Sequence, residues 1–168
     1  MNQRAKQLAH GAMIAALYVV LTHGQNFMFP ESTSFAIQFR ASEALCVLAF
    51  FTPAAISGLT VGCLVYNVTF VGALPLDFLV GSLATLIAVW GMWHSRKLEI
   101  FGIPVAILLP ALTNAVLVGW ELTAYIGGGF WINAVQVAIG EAAVLLTLGL
   151  LIYRVMKKRR LHTAIFGA

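Results

Sequence analysis

Apolar segments long enough to cross a lipid bilayer fill almost the whole of this sequence, and short polar turns separate them. Hydrophobic residues make up 61% of the 168 positions and charged residues only 10%, against roughly 25% charged residues in a typical soluble domain. A transmembrane helix needs about 20 mainly apolar residues, so the chain has room for about six spans joined by short loops. The sequence therefore predicts an all-α integral membrane protein.

The order of the apolar segments predicts a six-helix bundle with a short second helix. The predicted helices cover residues 6–22, 40–51, 53–71, 75–93, 102–125 and 130–153. The second is too short to cross the membrane alone, so we expect it to be buried or tilted. Pro110 lies inside the fifth and should kink it, because proline removes one helical hydrogen bond. We expect residues 1–160 to form one substrate-binding transmembrane domain, and residues 161–168 to form a disordered tail.

The positions of the basic residues predict the orientation of the bundle. Nine of the ten lysines and arginines flank the predicted spans, at Arg4 and Lys6, at Arg96 and Lys97, and between Arg154 and Arg160. With six spans these clusters share one side, and an excess of positive charge marks the cytoplasmic side. We expect both termini inside and the protein in a prokaryotic plasma membrane. The net charge of +4 thus reflects orientation, and we expect no nucleic-acid partner.

Four of the six carboxylates lie in or beside these apolar segments. They are Glu43, Asp77, Glu121 and Glu141, and Arg40 lies next to the first. A charged side chain in the bilayer interior costs roughly 2.5 to more than 10 kcal/mol, so such residues are kept in pairs or for function. Nearly all of the polar residues fall in the outer half of the predicted bundle, with Glu141 closer to its middle, which favours an outward-facing binding cup over a channel. The predicted substrate-binding residues are Arg40, Glu43, Asn67, Asp77, Asn114, Trp120, Glu121, Tyr125, Trp131, Asn133, Gln136 and Glu141.

Structural roles remain open for several of these residues. The alternatives are an ion pair between Arg40 and Glu43, a helix N-terminal charge at Asp77, interhelical hydrogen bonds from Asn67 and Asn114, and membrane-interface positions for Trp120 and Trp131. Glu121 and Glu141 are harder to explain in this way, because no basic residue lies within a helical turn of either.

The motifs of several enzyme classes are missing from the sequence. It contains no phosphate-binding loop of the kind that hydrolyses ATP, no nucleophile elbow and no cysteine–histidine cluster with metal-ligand spacing. We therefore expect no catalytic residues, no metal and no cofactor. The first helix carries small residues four apart, including Ala12 and Ala16, which would let another helix approach closely. This stripe predicts either a docking face for a partner subunit or close packing within the bundle.

These features together resemble the S components of energy-coupling factor transporters. The resemblance extends to the QueT family, over residues 12–153, and is most specific in three stretches: Ile37-Gln-Phe-Arg-Ala-Ser-Glu-Ala-Leu, Phe50-Phe-Thr-Pro-Ala-Ala-Ile and Gly81-Ser-Leu-Ala-Thr-Leu. The family is assigned to the uptake of queuosine precursors. The resemblance implies a separate membrane-embedded coupling subunit and two ATPase subunits as partners, with Ala12 and Ala16 at the subunit contact. It also implies substrate release by tipping over in the membrane, and a lid formed by residues 23–38.

The chemistry of the polar residues suits a 7-deazaguanine. We expect Glu121 or Glu141 to accept from the N–H edge of the base, and Asn114 and Gln136 to meet its ring carbonyl. Asp77 or Glu43 would then hold a cationic arm. Two alternatives stay open, namely an S component for another small nutrient and a proton-coupled secondary transporter that works alone.

Overall fold

Helices make up most of the protein in the computed structural model, which describes residues 2–30, 32 and 39–167. The α-helices are α1 (Gln3–Met28), α2 (Ala54–Thr69), α3 (Asp77–His94), α4 (Leu109–Tyr125), α5 (Phe130–Val144), α6 (Leu150–Lys158) and α7 (Leu161–Phe166). A 3₁₀ helix, Ala41–Phe50, lies between α1 and α2, and a hairpin of β1 (Glu99–Ile100) and β2 (Ile103–Pro104) follows α3. The structure thus has the mainly helical character that the sequence predicts.

Four helical segments are long and apolar enough to cross a membrane. They are Gln3–Met28, Asp77–His94, Val105–Tyr125 and Phe130–Lys158. Two shorter apolar helices, Ala41–Phe50 and Ala54–Thr69, accompany them. This fits an all-α multi-pass membrane protein, whereas the count of six spans and the inside position of both termini stay predictions.

Neighbouring α-helices pack against each other in chain order, from α1 on α2 to α4 on α5. Small residues make the first of these contacts very close. A Cβ atom added at Gly58 would lie 2.6 Å from the backbone oxygen of Gly11, and one added at Gly62 would lie 2.9 Å from the Cβ of Tyr18. Glycines at this four-residue spacing let two helix backbones approach in lipid. The close approach of α1 and α2 therefore depends on the glycines of α2.

The 3₁₀ helix Ala41–Phe50 lies at the centre of the bundle, in contact with α1, α2, α3, α5 and α6. Every residue from Ser42 to Phe50 is buried, which confirms that the short second segment is a buried helix. Side chains three apart align along a 3₁₀ helix, so Glu43 and Cys46 lie on the same edge. This element carries Glu43, a buried predicted site residue.

Two predictions about the fifth helix are wrong in detail. A short 3₁₀ turn, Val105–Leu108, precedes α4, and Pro110 lies in the first turn of α4. A proline at that position breaks no helical hydrogen bond, so it begins the helix and does not kink its interior. Residues 99–104 form a hairpin whose turn residues Phe101 and Gly102 both have positive φ, 52° and 74°. That is the turn type that matches strand twist in two-residue hairpins.

The last helix is longer than predicted and continues from Phe130 to Lys158. A π-helical turn, Leu145–Gly149, interrupts it where it packs on the central 3₁₀ helix. The predicted disordered tail differs from the structure, in which α7 covers Leu161–Phe166. His162 stacks on Phe51 with ring centroids 5.1 Å apart, and Phe166 packs against the core. These aromatic contacts stabilise α7 against the rest of the bundle.

Candidate functional site

Arg40 lies at the centre of the predicted cluster of carboxylates. It immediately precedes the 3₁₀ helix, is buried, and lies over the ring of Tyr66 at 5.8 Å. Its guanidinium interacts electrostatically with all four predicted carboxylates, Glu43, Asp77, Glu121 and Glu141. Folding therefore brings residues from the 3₁₀ helix, α3, α4 and α5 to one buried charge.

Glu43 is held by donors from α1 and from its own helix. The hydroxyl of Tyr18 donates to Glu43 Oε1 at 2.5 Å, and the thiol of Cys46 donates to Oε2 at 3.2 Å. One turn further along α1, Thr22 donates to the hydroxyl of Ser42 at 2.7 Å. Sequence reasoning missed Tyr18 and Thr22. The signal was their four-residue spacing, which puts both on one face of α1.

Glu141 is paired with Asn114 across the α4–α5 interface. The amide nitrogen of Asn114 donates to Glu141 Oε1 at 2.5 Å, and both side chains are buried. Glu141 also interacts electrostatically with Glu43. The interhelical hydrogen bond left open for Asn114 is thus present, and it joins Asn114 to a carboxylate of the cluster.

Asn67 and Asp77 tie the end of α2 to the start of α3. The Asn67 amide donates to the backbone oxygen of Asp77 at 2.9 Å, and the backbone N–H of Leu74 donates to Asp77 Oδ2 at 2.8 Å. Gly81 makes room for this amide, since a Cβ there would lie 2.8 Å from Asn67 Nδ2. Both residues therefore have a structural role, beside the electrostatic contact of Asp77 with Glu121.

Five buried side-chain atoms have no hydrogen-bond partner among the described residues. They are Asn67 Oδ1, Asn114 Oδ1, both carboxylate oxygens of Glu121, and Glu141 Oε2. All five are acceptors. Leaving a buried polar group unsatisfied costs about 1–3 kcal/mol, more if it is charged. The cluster therefore has unused hydrogen-bond acceptors among the described residues.

Four predicted aromatic or amide residues are exposed or only half-buried. Trp120 and Trp131 are 54% and 78% exposed, and Tyr125 is 45% exposed. Exposed Trp and Tyr near helix ends suit a membrane interface. Gln136 is half-buried on α5. The structure does not bring the two tryptophans into the cluster.

Asn133 has a clear structural role. Its amide donates to Thr123 Oγ1 at 3.0 Å and to the backbone oxygen of Gly127 at 2.9 Å. Gly127 and Gly128 adopt positive φ values of 88° and 87°, which glycine allows without strain. Asn133 therefore holds the glycine turn between α4 and α5.

The predicted lid, residues 23–38, is only partly described. Its first residues continue α1 to Met28, and residues 31 and 33–38 lie outside the described part of the chain. Gln25 links the two sides of this segment, because its amide donates to Ser32 Oγ and to the backbone oxygen of Phe39. Its oxygen accepts from the backbone N–H of Ala41 at 2.7 Å. Gln25, which sequence reasoning missed, thus positions the chain beside Arg40.

The small residues of α1 divide between two faces. Gly11 is buried and Ala15 half-buried against the glycines of α2, whereas Ala12 and Ala16 are exposed. Close packing within the bundle therefore explains one half of the pattern. Docking of a partner on Ala12 and Ala16 stays a prediction.

A separate polar contact lies at the opposite end of the bundle. Glu99 of β1 accepts hydrogen bonds from Lys157 and Tyr153 of α6, each at 2.5 Å. The hydrogen bond from Lys157 is the main reason that the pKa of Glu99 is below its usual range. Within residues 2–30, 32 and 39–167, no group of three or more histidine, cysteine or acidic side chains is arranged to hold a metal ion.

A bundle of membrane-length helices around a buried cluster of charged and polar side chains is the architecture of a multi-pass membrane protein. The model of one family, described as QueT transporter, matches residues 8–158. The chain belongs to the QueT transporter family, and it is therefore a membrane transport protein.

One similar curated protein is the "Queuosine precursor transporter QueT" of Lactococcus lactis subsp. cremoris (strain MG1363). The two are 40% identical over 79 residues, which is 45% of this chain and 43% of that protein. The matched region thus spans less than half of the relative's length. No solved structure matches this chain.

Proposed function

We propose that this chain is the substrate-binding component of an energy-coupling factor importer that captures a queuosine precursor of the 7-deazaguanine type. The observation that carries this proposal is the set of buried acceptors without partners at Glu121, Glu141, Asn114 and Asn67. The name of the Lactococcus relative supports the substrate class. A 7-deazaguanine is rich in N–H donors, which are what this cluster lacks.

Glu121 is the best candidate to bind the N–H edge of the base. Both of its oxygens are buried and unpartnered among the described residues, so the carboxylate can accept two parallel N–H bonds. The ring N–H and the exocyclic amine of a guanine-type edge present such a pair. Charge-assisted bidentate hydrogen bonds of this kind are strong and directional, which would give the site its selectivity.

Asn114 keeps hydrogen-bonding capacity beside its contact with Glu141. One N–H of its amide donates to Glu141 Oε1, and an amide nitrogen has two N–H donors, so the second N–H stays available for the ring carbonyl. Its carbonyl oxygen has no partner among the described residues and offers an acceptor next to Glu141. Asn114 and Gln136 therefore both stay proposed for the ring carbonyl.

The free acceptors of Glu141 and Asn114 suit a cationic arm on the base. Glu43 was an alternative partner for that arm, but both of its oxygens already accept hydrogen bonds from Tyr18 and Cys46. Asp77 accepts from the backbone N–H of Leu74 through one oxygen only, Oδ2, so it stays a second candidate for the arm. We place the arm first at Glu141, which also interacts electrostatically with Arg40.

The energy for import would come from other subunits. The sequence has no phosphate-binding loop, and its resemblance to S components supports a membrane-embedded coupling subunit with two ATPase subunits. In this proposal the chain captures its substrate from outside and releases it after tipping over in the membrane. Ala12 and Ala16, exposed on α1, would meet the coupling subunit.

Binding of a 7-deazaguanine to Glu121→Gln tests the substrate site. The substitution keeps the shape, removes the charge and replaces one acceptor by a donor. A charged hydrogen bond is worth about 1.5–3 kcal/mol, so we expect affinity measured by calorimetry to fall about 10-fold to 150-fold. Glu99→Gln, at the opposite end of the bundle, is the matched control and should bind as the unmodified protein does. Equal affinity of both variants would remove Glu121 from the site.

Reconstitution tests the source of energy. The chain alone in proteoliposomes should bind the substrate but not accumulate it, and accumulation should require the coupling subunit, the ATPases and ATP. Accumulation by the chain alone under a proton gradient would instead establish a secondary transporter.

A further inference from the structure

Two adjoining cavities lie near the basic end of the bundle, outside the carboxylate cluster. The first, of about 240 Å³, is apolar and lies between α1 and the last two helices, where Leu45 and Leu48 of the 3₁₀ helix form its floor. Met13 and Leu17 of α1 line one side, and Met156 of α6 lines the other. We call this cavity the groove. It opens because α1 and α6 each pack on the central 3₁₀ helix.

The second cavity, of about 270 Å³, is polar and continues from the groove toward the end of the bundle. Lys6, Gln7 and His10 of α1 line it, together with Thr52 and Trp93. We call it the polar pocket. Lys6 is exposed, so its ammonium group is available to an anion at the pocket's mouth.

One pair of side chains forms the wall shared by the two cavities. His10 and Phe166 line both of them, and their rings meet edge to face with centroids 5.3 Å apart. A single ligand could therefore have a polar part on one side of this pair and an apolar part on the other.

Charge at this end of the bundle selects an anion. The three clusters that contain nine of the ten lysines and arginines flank the helix ends here. Glu99 is the acidic side chain described at this end, and it is already bonded to Lys157. The pocket therefore lies in a strongly positive region, and basic pockets between membrane helices suit anionic lipid headgroups.

We infer that the polar pocket and the groove together bind one anionic phospholipid. Lys6, His10 and Gln7 would contact the phosphate, and an acyl chain would lie in the groove against Leu45 and Leu48. From His10 to Leu17 the groove descends seven residues, about 10 Å at 1.5 Å per residue. That is within one leaflet of a hydrocarbon core about 30 Å thick. This inference is independent of the substrate proposed for the carboxylate cluster.

Native mass spectrometry of the full chain in nanodiscs tests the inference, with phosphatidylglycerol and phosphatidylcholine in equal amounts. The lipid kept after release from the nanodisc should be phosphatidylglycerol, at one molecule per chain. The Lys6→Gln/His10→Gln variant should keep at least five-fold less of it. Lys97→Gln, a basic residue of the same end that lines neither cavity, should keep as much as the unmodified chain.

Two results would overturn the inference. If Lys97→Gln loses the lipid as fully as the double variant, the attraction is a general effect of charge and not a site. If glycerol phosphate, which has no acyl chains, competes with the lipid at millimolar concentration, the groove contributes nothing. The melting temperature of each variant is measured alongside, so that loss of lipid is read only from folded protein.

Discussion

At the scale of single residues, carboxyl groups outnumber basic groups around Arg40. Its guanidinium interacts with four of them, and donors from the protein satisfy Glu43, while Glu121 accepts from no donor among the described residues. Buried polar groups are costly unless they are hydrogen-bonded. In the proposed function, a ligand rich in N–H donors supplies these missing hydrogen bonds.

Tyr18→Phe should destabilise the protein by removing the donor to Glu43. Tyr18 is fully buried and its hydroxyl donates to Glu43 Oε1, so the change leaves one buried carboxylate oxygen without its partner. Such a loss costs about 1–3 kcal/mol. Tyr125→Phe removes the same hydroxyl from a side chain that is 45% exposed, and should change stability by less than about 0.5 kcal/mol. Denaturation in detergent compares the two, and equal effects would contradict the role given to Tyr18.

At the scale of helices, the contact between α1 and α2 depends on the absence of side chains. Gly58 and Gly62 of α2 face backbone atoms of α1, where a Cβ at Gly58 would lie 2.6 Å from the oxygen of Gly11. Backbone atoms cannot move aside as a flexible side chain can. Any side chain at Gly58 must therefore separate the two helices along their length.

Gly58→Ala should destabilise the bundle although alanine favours helices. Overpacking a tight contact costs about 1–3 kcal/mol, which outweighs the gain of up to about 1 kcal/mol from helix propensity. Gly24→Ala is the matched control, because Gly24 lies in α1 with no atom near an added Cβ, and it should be neutral or stabilising. Thermal unfolding in one detergent measures both. A stable Gly58→Ala variant would show that the helices can separate without cost.

The helices follow from the apolar runs of the sequence, because in lipid every backbone polar group must be satisfied within a helix or a closed barrel. The 3₁₀ helix, the π turn and the hairpin do not follow from them. These depend on contacts between residues distant in the sequence. Val47 packs against Gly149, for example, and Val47 Cγ1 would lie 3.3 Å from a Cβ atom built at that glycine. The same limit applies to the site. Glu121 and Glu141 were found from their lack of basic neighbours, but nothing local pairs Asn114 with Glu141 or Tyr18 with Glu43.

At the scale of the whole molecule, charge is divided between the two ends of the bundle. The carboxylates and Arg40 gather at one end, and the other lysines and arginines flank the helix ends at the other. Lysine and arginine are retained on the cytoplasmic side of a membrane. The carboxylate cluster should therefore face outward, as capture of an external solute requires.

Cysteine labelling in intact cells tests this orientation. Ile126→Cys lies beside the glycine turn and Lys97→Cys lies between α3 and the hairpin, and both positions are exposed. We expect a membrane-impermeant maleimide to label Ile126→Cys in intact cells and Lys97→Cys only after permeabilisation. The native Cys46 and Cys63 are buried, so the unmodified chain should give little background. The reverse labelling pattern would invert the predicted topology.

The central 3₁₀ helix also sets the distance between the carboxylate cluster and the end of the bundle that holds the hairpin. A 3₁₀ helix rises about 2.0 Å per residue and an α-helix 1.5 Å, so the ten residues from Ala41 to Phe50 extend about 20 Å instead of about 15 Å. At one end Glu43 meets the carboxylate cluster, and at the other Phe50 meets Tyr153, whose hydroxyl bonds to the hairpin. Along the membrane normal, that length would cover two thirds of a hydrocarbon core about 30 Å thick. Rewinding this one element as an α-helix would bring its two ends about 5 Å closer together.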